Sequence, residues 1–234
     1  MQKFFKTAAS TTSTLLLIST AVVAVSTSAQ ADNSSADTGY GAGIHIGSLG
    51  VGVDGSYRVN PNFDARLGLN SFTYSRDQRQ DGINYNVHAH LKSIALLGDF
   101  YANGGNGFHF TGGLVDNESN FDGTAQPDSN NSILINGKPY TSAEAGVVAG
   151  NVRFPRVEPY VGIGFGRPSS GASGLSFTAD FGAILASKPS YTLTATGSVP
   201  GLATDVAAQQ ATTQQSLNRL TVYPVIQFGI GYHF

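Results

Sequence analysis

At 234 residues the chain has room for one substantial domain, with 41% hydrophobic but only 12% charged residues and a formal net charge of −2. Twenty-nine glycines, no tryptophan and no cysteine exclude disulfides, thiolate metal centres and a cysteine nucleophile. No apolar run reaches the roughly 18 residues of a spanning helix, so a membrane protein of this composition must be a closed barrel, the one strand architecture that satisfies its backbone in lipid.

Residues 1–31 read as an export signal. Lys3 and Lys6 form the basic region, Leu15 to Val25 the apolar region, and Ala29-Gln30-Ala31 the small-residue site after which cleavage is expected. Losing Lys3 and Lys6 from the 13 basic residues, against 15 acidic ones, takes the formal charge from −2 to −4. A mildly acidic exported chain is not built for nucleic acid. Residues 32–40 are small and polar, a flexible lead-in to a barrel expected over 41–234.

Alternation at period two then runs through most of the chain. Ile44 and Ile46 share a face, Val51, Val53, Tyr57 and Val59 the next, and the phase slips at Ser48-Leu49, which marks a tight hairpin or a bulge. Asn60-Pro61-Asn62 reads as a turn. Phe63, Ala65, Leu67 and Leu69 alternate with Asp64, Arg66, Gly68 and Asn70. Ser75 to Gly82 reads as a charged loop, and Tyr85, Val87, Ala89 and Leu91 then alternate with Asn86, His88, His90 and Lys92 before the apolar run Ile94 to Leu97 blurs the phase. Asn103 to Gly107 is a tight connection, and Phe108, Phe110 and Leu114 oppose His109, Thr111 and Gly113. Residues 116–144 read as a long polar loop holding a small hairpin at Asn136-Gly137. Val148, Val152 and Phe154 mark a strand that ends near Pro155. Val161, Ile163 and Phe165 alternate with glycines, Leu175 to Ala183 with Ser176, Thr178, Asp180 and Gly182, and Tyr191 to Ala195 with threonines. A short polar helix is expected within 205–220. The last strand places Ile226, Phe228, Ile230, Tyr232 and Phe234 on one face and Val225, Gln227, Gly229, Gly231 and His233 on the other.

Ten strands follow if Ser48-Leu49 is a hairpin, and eight if two of the segments lie outside the membrane. The pattern describes an all-β, antiparallel up-and-down transmembrane barrel of eight to ten strands, with short periplasmic turns and long extracellular loops. The short turns are expected at Asn60-Pro61, Asn103 to Gly107, Pro155 to Glu158 and Lys188-Pro189.

Small outer-membrane barrels are the family that these features resemble: the export signal, Pro159 to Phe165, Asp180-Phe181-Gly182-Ala183, Lys188-Pro189-Ser190, the Asn136 to Tyr140 loop, the Asn60-Pro61 turn and the terminal Tyr232-His233-Phe234. The chain most resembles the carbapenem-associated, ornithine-uptake (CarO-type) barrels, and more distantly OmpW-like and OmpA-like barrels. Members of the first family are described as eight-stranded monomers that pass small solutes. The resemblance implies an outer-membrane location, the lipid bilayer as surroundings, a barrel-assembly machinery that reads Tyr232 and Phe234, and a monomer.

The polar face carries the candidate functional residues. Asp64, Arg66, His88, His90, Lys92, Arg153 and Asp180, with His109, Asn151, Gln227 and His233, are expected to point into the lumen. One reading is a narrow passive channel for small polar solutes such as amino acids, its charge selectivity set by those residues. The other is a closed barrel, plugged by paired charges, with a structural or surface-interaction role. His88 and His90 share a face at metal-binding spacing, but no third ligand accompanies them. Gly162, Gly164 and Gly166 follow strand period and open no helix, so they are spacers rather than a phosphate loop. No serine stands close after a histidine in any strand, and no His-Asp cluster lies near a loop. The sequence therefore gives no reason to expect catalysis, a cofactor or a metal.

Overall fold

The computed structural model describes residues 39–102, 107–169, 173–185 and 188–234. The export signal, most of the lead-in and most of the Asn103 to Gly107 connection lie outside the described residues.

Eight strands close into a ring, all neighbours antiparallel: β1 (Tyr40–Gly47), β2 (Gly50–Asn60), β3 (Phe63–Gln80), β4 (Ile83–Phe100), β5 (Phe108–Asn117), β10 (Val157–Phe165), β11 (Gly174–Ile184) and β13 (Tyr223–His233). The ring closes where β1 pairs with β13, Ile44 opposite Ile230. The phase slip is the hairpin, with Ser48 and Leu49 as its two turn residues. The start of β1, the end of β13, the Asn60 to Asn62 turn and the ends at which β4 leads to β5 and β10 to β11 share one end, here the terminal end. The β3–β4 turn and the two long connections share the other, the loop end.

Alternation works as expected in the ring. Ile44, Val53, Leu67, Leu96, Phe110, Val161, Phe177 and Phe228 are among the large apolar side chains that face outward and exposed, an apolar belt suited to lipid. Aromatic residues gather at the terminal end, where Tyr40 contacts Tyr57 and Tyr232 contacts Phe234 with ring centroids 5.1 and 5.2 Å apart. Asp64, Asn70, Asp99, His109, Thr111 and Asp180 face inward and are buried.

At the loop end the β3–β4 hairpin continues well beyond the ring. Its far half, closed by Asp81 and Gly82 in left-handed conformations (φ 52° and 71°), pairs onward to β6 (Asn120–Pro127), β9 (Val148–Arg153) and β12 (Ser190–Ala195). This cap sheet also carries the hairpin of β7 (Ser132–Ile135) and β8 (Lys138–Thr141), the turn α1 (Ser142–Ala145) and the helix α2 (Leu202–Leu217). The Asn136-Gly137 hairpin is present, both residues at positive φ (51° and 79°), and α2 is the expected polar helix, begun three residues earlier. Gln214 and Gln210 of α2 accept the backbone N–H of Tyr191 and Leu193 at 2.7 and 3.0 Å, which caps the free edge of β12.

The segments at 148–154 and 191–196 are strands of the cap, so of the two counts left open the ring takes eight, with two segments outside it. Two sequence expectations need correction. Pro155 to Glu158 and Lys188-Pro189 accordingly lie at the loop end. Ser75 to Gly82 and much of 116–144 are strand and hairpin, because each polar segment finds a sheet edge to extend.

Candidate functional site

The lumen encloses Asp64, Arg66 and Asp180, and side chains fill it at three levels. In the middle, Arg66 of β3 reaches across to two carboxylates. Its Nη1 and Nη2 donate to Asp180 Oδ2 and Oδ1, both at 3.0 Å, its Nη2 also donates to Asp99 Oδ1 at 3.0 Å, and its Nε stands 2.9 Å from Asp99 Oδ2. Thr111 donates to Asp99 at 2.7 Å, and His109 Nε2 bonds Asp180 at 3.2 Å. Each carboxylate accepts at least two hydrogen bonds, as a charge cluster out of water requires. Glycine makes the room: Gly164 lies in register between His109 and Asp180, and a Cβ there would stand 2.7 Å from Asp180 Oδ1.

Above Arg66, toward the loop end, His45 bridges Asp54 (2.8 Å) and Asn70 (2.7 Å), and Gln227 donates to Asn70 at 3.2 Å. An apolar cluster of Ala95, Leu97, Val115, Tyr160, Ile184 and Val225 sits over them, with Leu49 and Tyr223 packed against it. Below Arg66, the connection after β10 folds into the terminal end. Arg167, 6% exposed, grips Asp64 with Nε and Nη2 (3.1 and 2.7 Å) and donates to the carbonyls of Pro61 and Asn60 (2.8 and 3.3 Å). Its guanidinium lies 4.1 Å over the Tyr101 ring. Ser169, fully buried, also donates to Asp64. Between these levels the lumen keeps two cavities of about 20 and 10 Å³, both bordered by Arg66 and Asp54. Each is of the order of a single water molecule.

Of the candidate residues, Asp64, Arg66 and Asp180 therefore lie in the lumen, together with His109, Gln227 and His233. His88, His90, Lys92, Asn151 and Arg153 do not: they lie on the outer face of the cap sheet and its rim. His88 bonds Ser75 (2.8 Å), His90 bonds Thr73 (3.0 Å), and Lys92 pairs with Glu118 (2.6 Å). Along β4 the inward residues of the ring are odd-numbered, Ser93 to Asp99, while Ile94, Leu96 and Phe100 face outward. The even-numbered His88, His90 and Lys92 continue the outward face. Polarity inverts at the rim, because the cap buries its inner side and wets its outer one. Among the described residues no group of three or more His, Asp or Glu side chains stands where it could hold a metal ion. Arg167, Asp99 and Tyr101 carry no clear signal in the sequence: the first lies in an aperiodic turn, and the other two follow a stretch of blurred phase.

Two crystal structures from Acinetobacter baumannii share this architecture. CarO2 aligns with a TM-score of 0.58 and 21% identity over 84% of this chain and 98% of that one. CarO aligns at 0.57 and 21%, over 83% of this chain and 97% of that one. The fold is that of the CarO barrels. No family model matches the sequence, and no curated protein matches it either. The likeness to CarO therefore rests on architecture, and it bears out the all-β transmembrane barrel expected from the alternation.

Proposed function

We propose that this chain is an outer-membrane barrel whose lumen is closed at rest and whose working surface is the folded cap. The observation that carries this reading is the filling of the lumen by side chains at three successive levels, where the two cavities beside Arg66 and Asp54 are each about the size of a water molecule. On this reading the terminal end is periplasmic and the cap extracellular, since outer-membrane barrels keep their termini and short turns inside. The barrel is a monomer, exported by the signal over 1–31, and Tyr232 and Phe234 serve its insertion by the assembly machinery. Its expected partners are the bilayer around the apolar belt and whatever the cap meets outside.

A passive channel for small polar solutes is the second reading. Its support is the polar lining of both cavities, where Asp54, Asn70, Gln227 and Asp180 could replace water around a solute. It requires Arg66 and Arg167 to swing away from their carboxylates. Liposome swelling and planar-bilayer recording on the purified, folded protein separate the two. The closed barrel admits neither glycine nor ornithine and gives no conductance steps, whereas steady influx of either solute overturns it in favour of the channel.

A further inference from the structure

We infer that Gly166 to Ser169 form a strap that can leave its seat, and that this strap is the closure of the lumen at the terminal end. The inference rests on the closed-barrel reading and adds to it which segment does the closing and what latches it.

Three observations carry it. First, the strap beyond Gly166 is no part of the wall. Gly166 still donates its N–H to the Gly107 carbonyl at 2.9 Å, but the β10–β11 ladder stops at Phe165 opposite Ala179, and β11 continues from Thr178 to Gly174 on β13 alone. Withdrawing the strap from Arg167 onward breaks no strand pairing of the ring. Second, the seat is shaped for it. A Cβ on Gly41 would collide with the Pro168 carbonyl oxygen and one on Gly231 would stand 2.7 Å from Pro168 Cβ, while Gly39 is similarly pressed by the Ser169 carbonyl. Glycines on β1, on β13 and just before β1 thus leave the hollow that the strap occupies. The latch is specific as well: Asp64 and the Asn60 and Pro61 carbonyls hold Arg167, Ser169 donates to the same Asp64, Tyr101 lies beneath the guanidinium, and the Tyr101 hydroxyl donates to the Gly166 carbonyl at 3.3 Å.

Third, the strap covers polar groups without bonding them. Ser56 Oγ, beside Gly41 and Pro168 on the border of the smaller cavity, and His233 Nδ1, on the ring beside Gly39 and Ser169, make no hydrogen bond to the described residues. A buried polar group left without a partner costs free energy that hydration returns. Opening the strap wets both groups, so the seated state already carries part of the cost of leaving. The strap's polar contacts converge on the Asp64–Arg167 ion pair at its centre and are opposed by the groups beneath it, which is the arrangement of a latch rather than of a packed core.

The absence of cysteine allows a direct test. Ser56→Cys places a single thiol under the strap, and a small charged methanethiosulfonate reports access to it in the folded protein, with heat-modifiable gel migration selecting folded material. The thiol is expected to label slowly in the otherwise unchanged barrel. Asp64→Asn with Arg167→Gln releases the latch and leaves no lone buried charge. Because labelling follows the open fraction, a shift in population of about tenfold raises the rate about tenfold. Gly231→Ala crowds the Pro168 ring, 2.7 Å from the added Cβ, without removing a charge or meeting position 56, and is expected to raise the same rate. If both folded variants label no faster than Ser56→Cys alone, the strap is not the closure and the inference fails. If Ser56→Cys alone labels as fast as the denatured chain, the lumen is open at rest, and the closed-barrel reading fails instead.

Discussion

Replacing Arg66 with Leu tests the centre of the lumen. The guanidinium makes three hydrogen bonds and one further close ion-pair contact to Asp99 and Asp180, whose side chains are only 4% and 5% exposed. Leucine leaves two carboxylates facing each other out of water, and removing one partner of a buried ion pair costs about 3–5 kcal/mol. Asp99 keeps Thr111 and Asp180 keeps His109, so the lower part of that range is expected. Equilibrium urea unfolding in lipid vesicles, followed by the gel shift between folded and unfolded bands, measures the loss. The same Arg66→Leu change made together with Asp99→Asn and Asp180→Asn should recover most of it, since no unpaired charge remains. A loss of less than about 1 kcal/mol, the range of an exposed pair, with no recovery in the triple variant, would refute the view that this network is desolvated and fills the barrel.

Three further predictions concern the cap, its outer face and the last strand. Asp205 of α2 accepts from Lys138, Tyr140 and Asn136, and those partners, Lys138 foremost, hold its carboxyl down at about 2. Its folded value lies below the ordinary value of about 3.9, so this contact between α2 and the β7–β8 hairpin is fully present above about pH 4 and is lost as pH falls toward 2. Hydrogen exchange in α2 should rise across that window in the parent protein, and already at neutral pH in Asp205→Asn. Replacing His88, His90 or Lys92 with Gln should leave barrel stability within about 0.5 kcal/mol, because each lies outside the lumen; a destabilisation as large as that of Arg66→Leu in the same unfolding assay would return them to it. Deleting Phe234 should lower the yield of folded barrel in cell envelopes while purified protein still refolds in detergent, and equal yields would remove its role in assembly.

The ring was legible because each of its strands must present one face to lipid and one to the lumen, and alternation is the direct trace of that demand. β13 is the clearest case, with Ile226 to Phe234 outward and Val225 to His233 inward. Turn chemistry located Asn136-Gly137 for the same local reason. The cap was not legible as a sheet, since β6, β9 and β12 carry polar residues on their wet face and glycine or alanine at several positions on the other. Their pairing depends on sheet edges distant in sequence. The misplacement of His88, His90 and Lys92 has one source. Tyr85, Val87, Ala89 and Leu91 form an apolar face of opposite parity to Ile94 and Leu96, and only the three-dimensional position of the rim tells which parity is outward. Arg167 left no periodic trace at all, although its partner Asp64 was found.

That inversion along β3 and β4 also says where the bilayer must end. Outward residues are apolar through Leu69 and Ile94, then polar from Ser71 and Lys92 onward, while inward residues change from Asn70 and Ser93 to Phe72 and Leu91. Both strands change over at the same level, because Ser71 is paired with Lys92 and Leu69 with Ile94. One unbroken ladder thus runs from lipid into the cap, with no flexible joint between them. A one-residue slip in the cap half of this hairpin would carry into the ring, turning Arg66 toward lipid and Leu67 toward Asp99 and Asp180. The register of the cap and the closure of the lumen are therefore set by the same pair of strands.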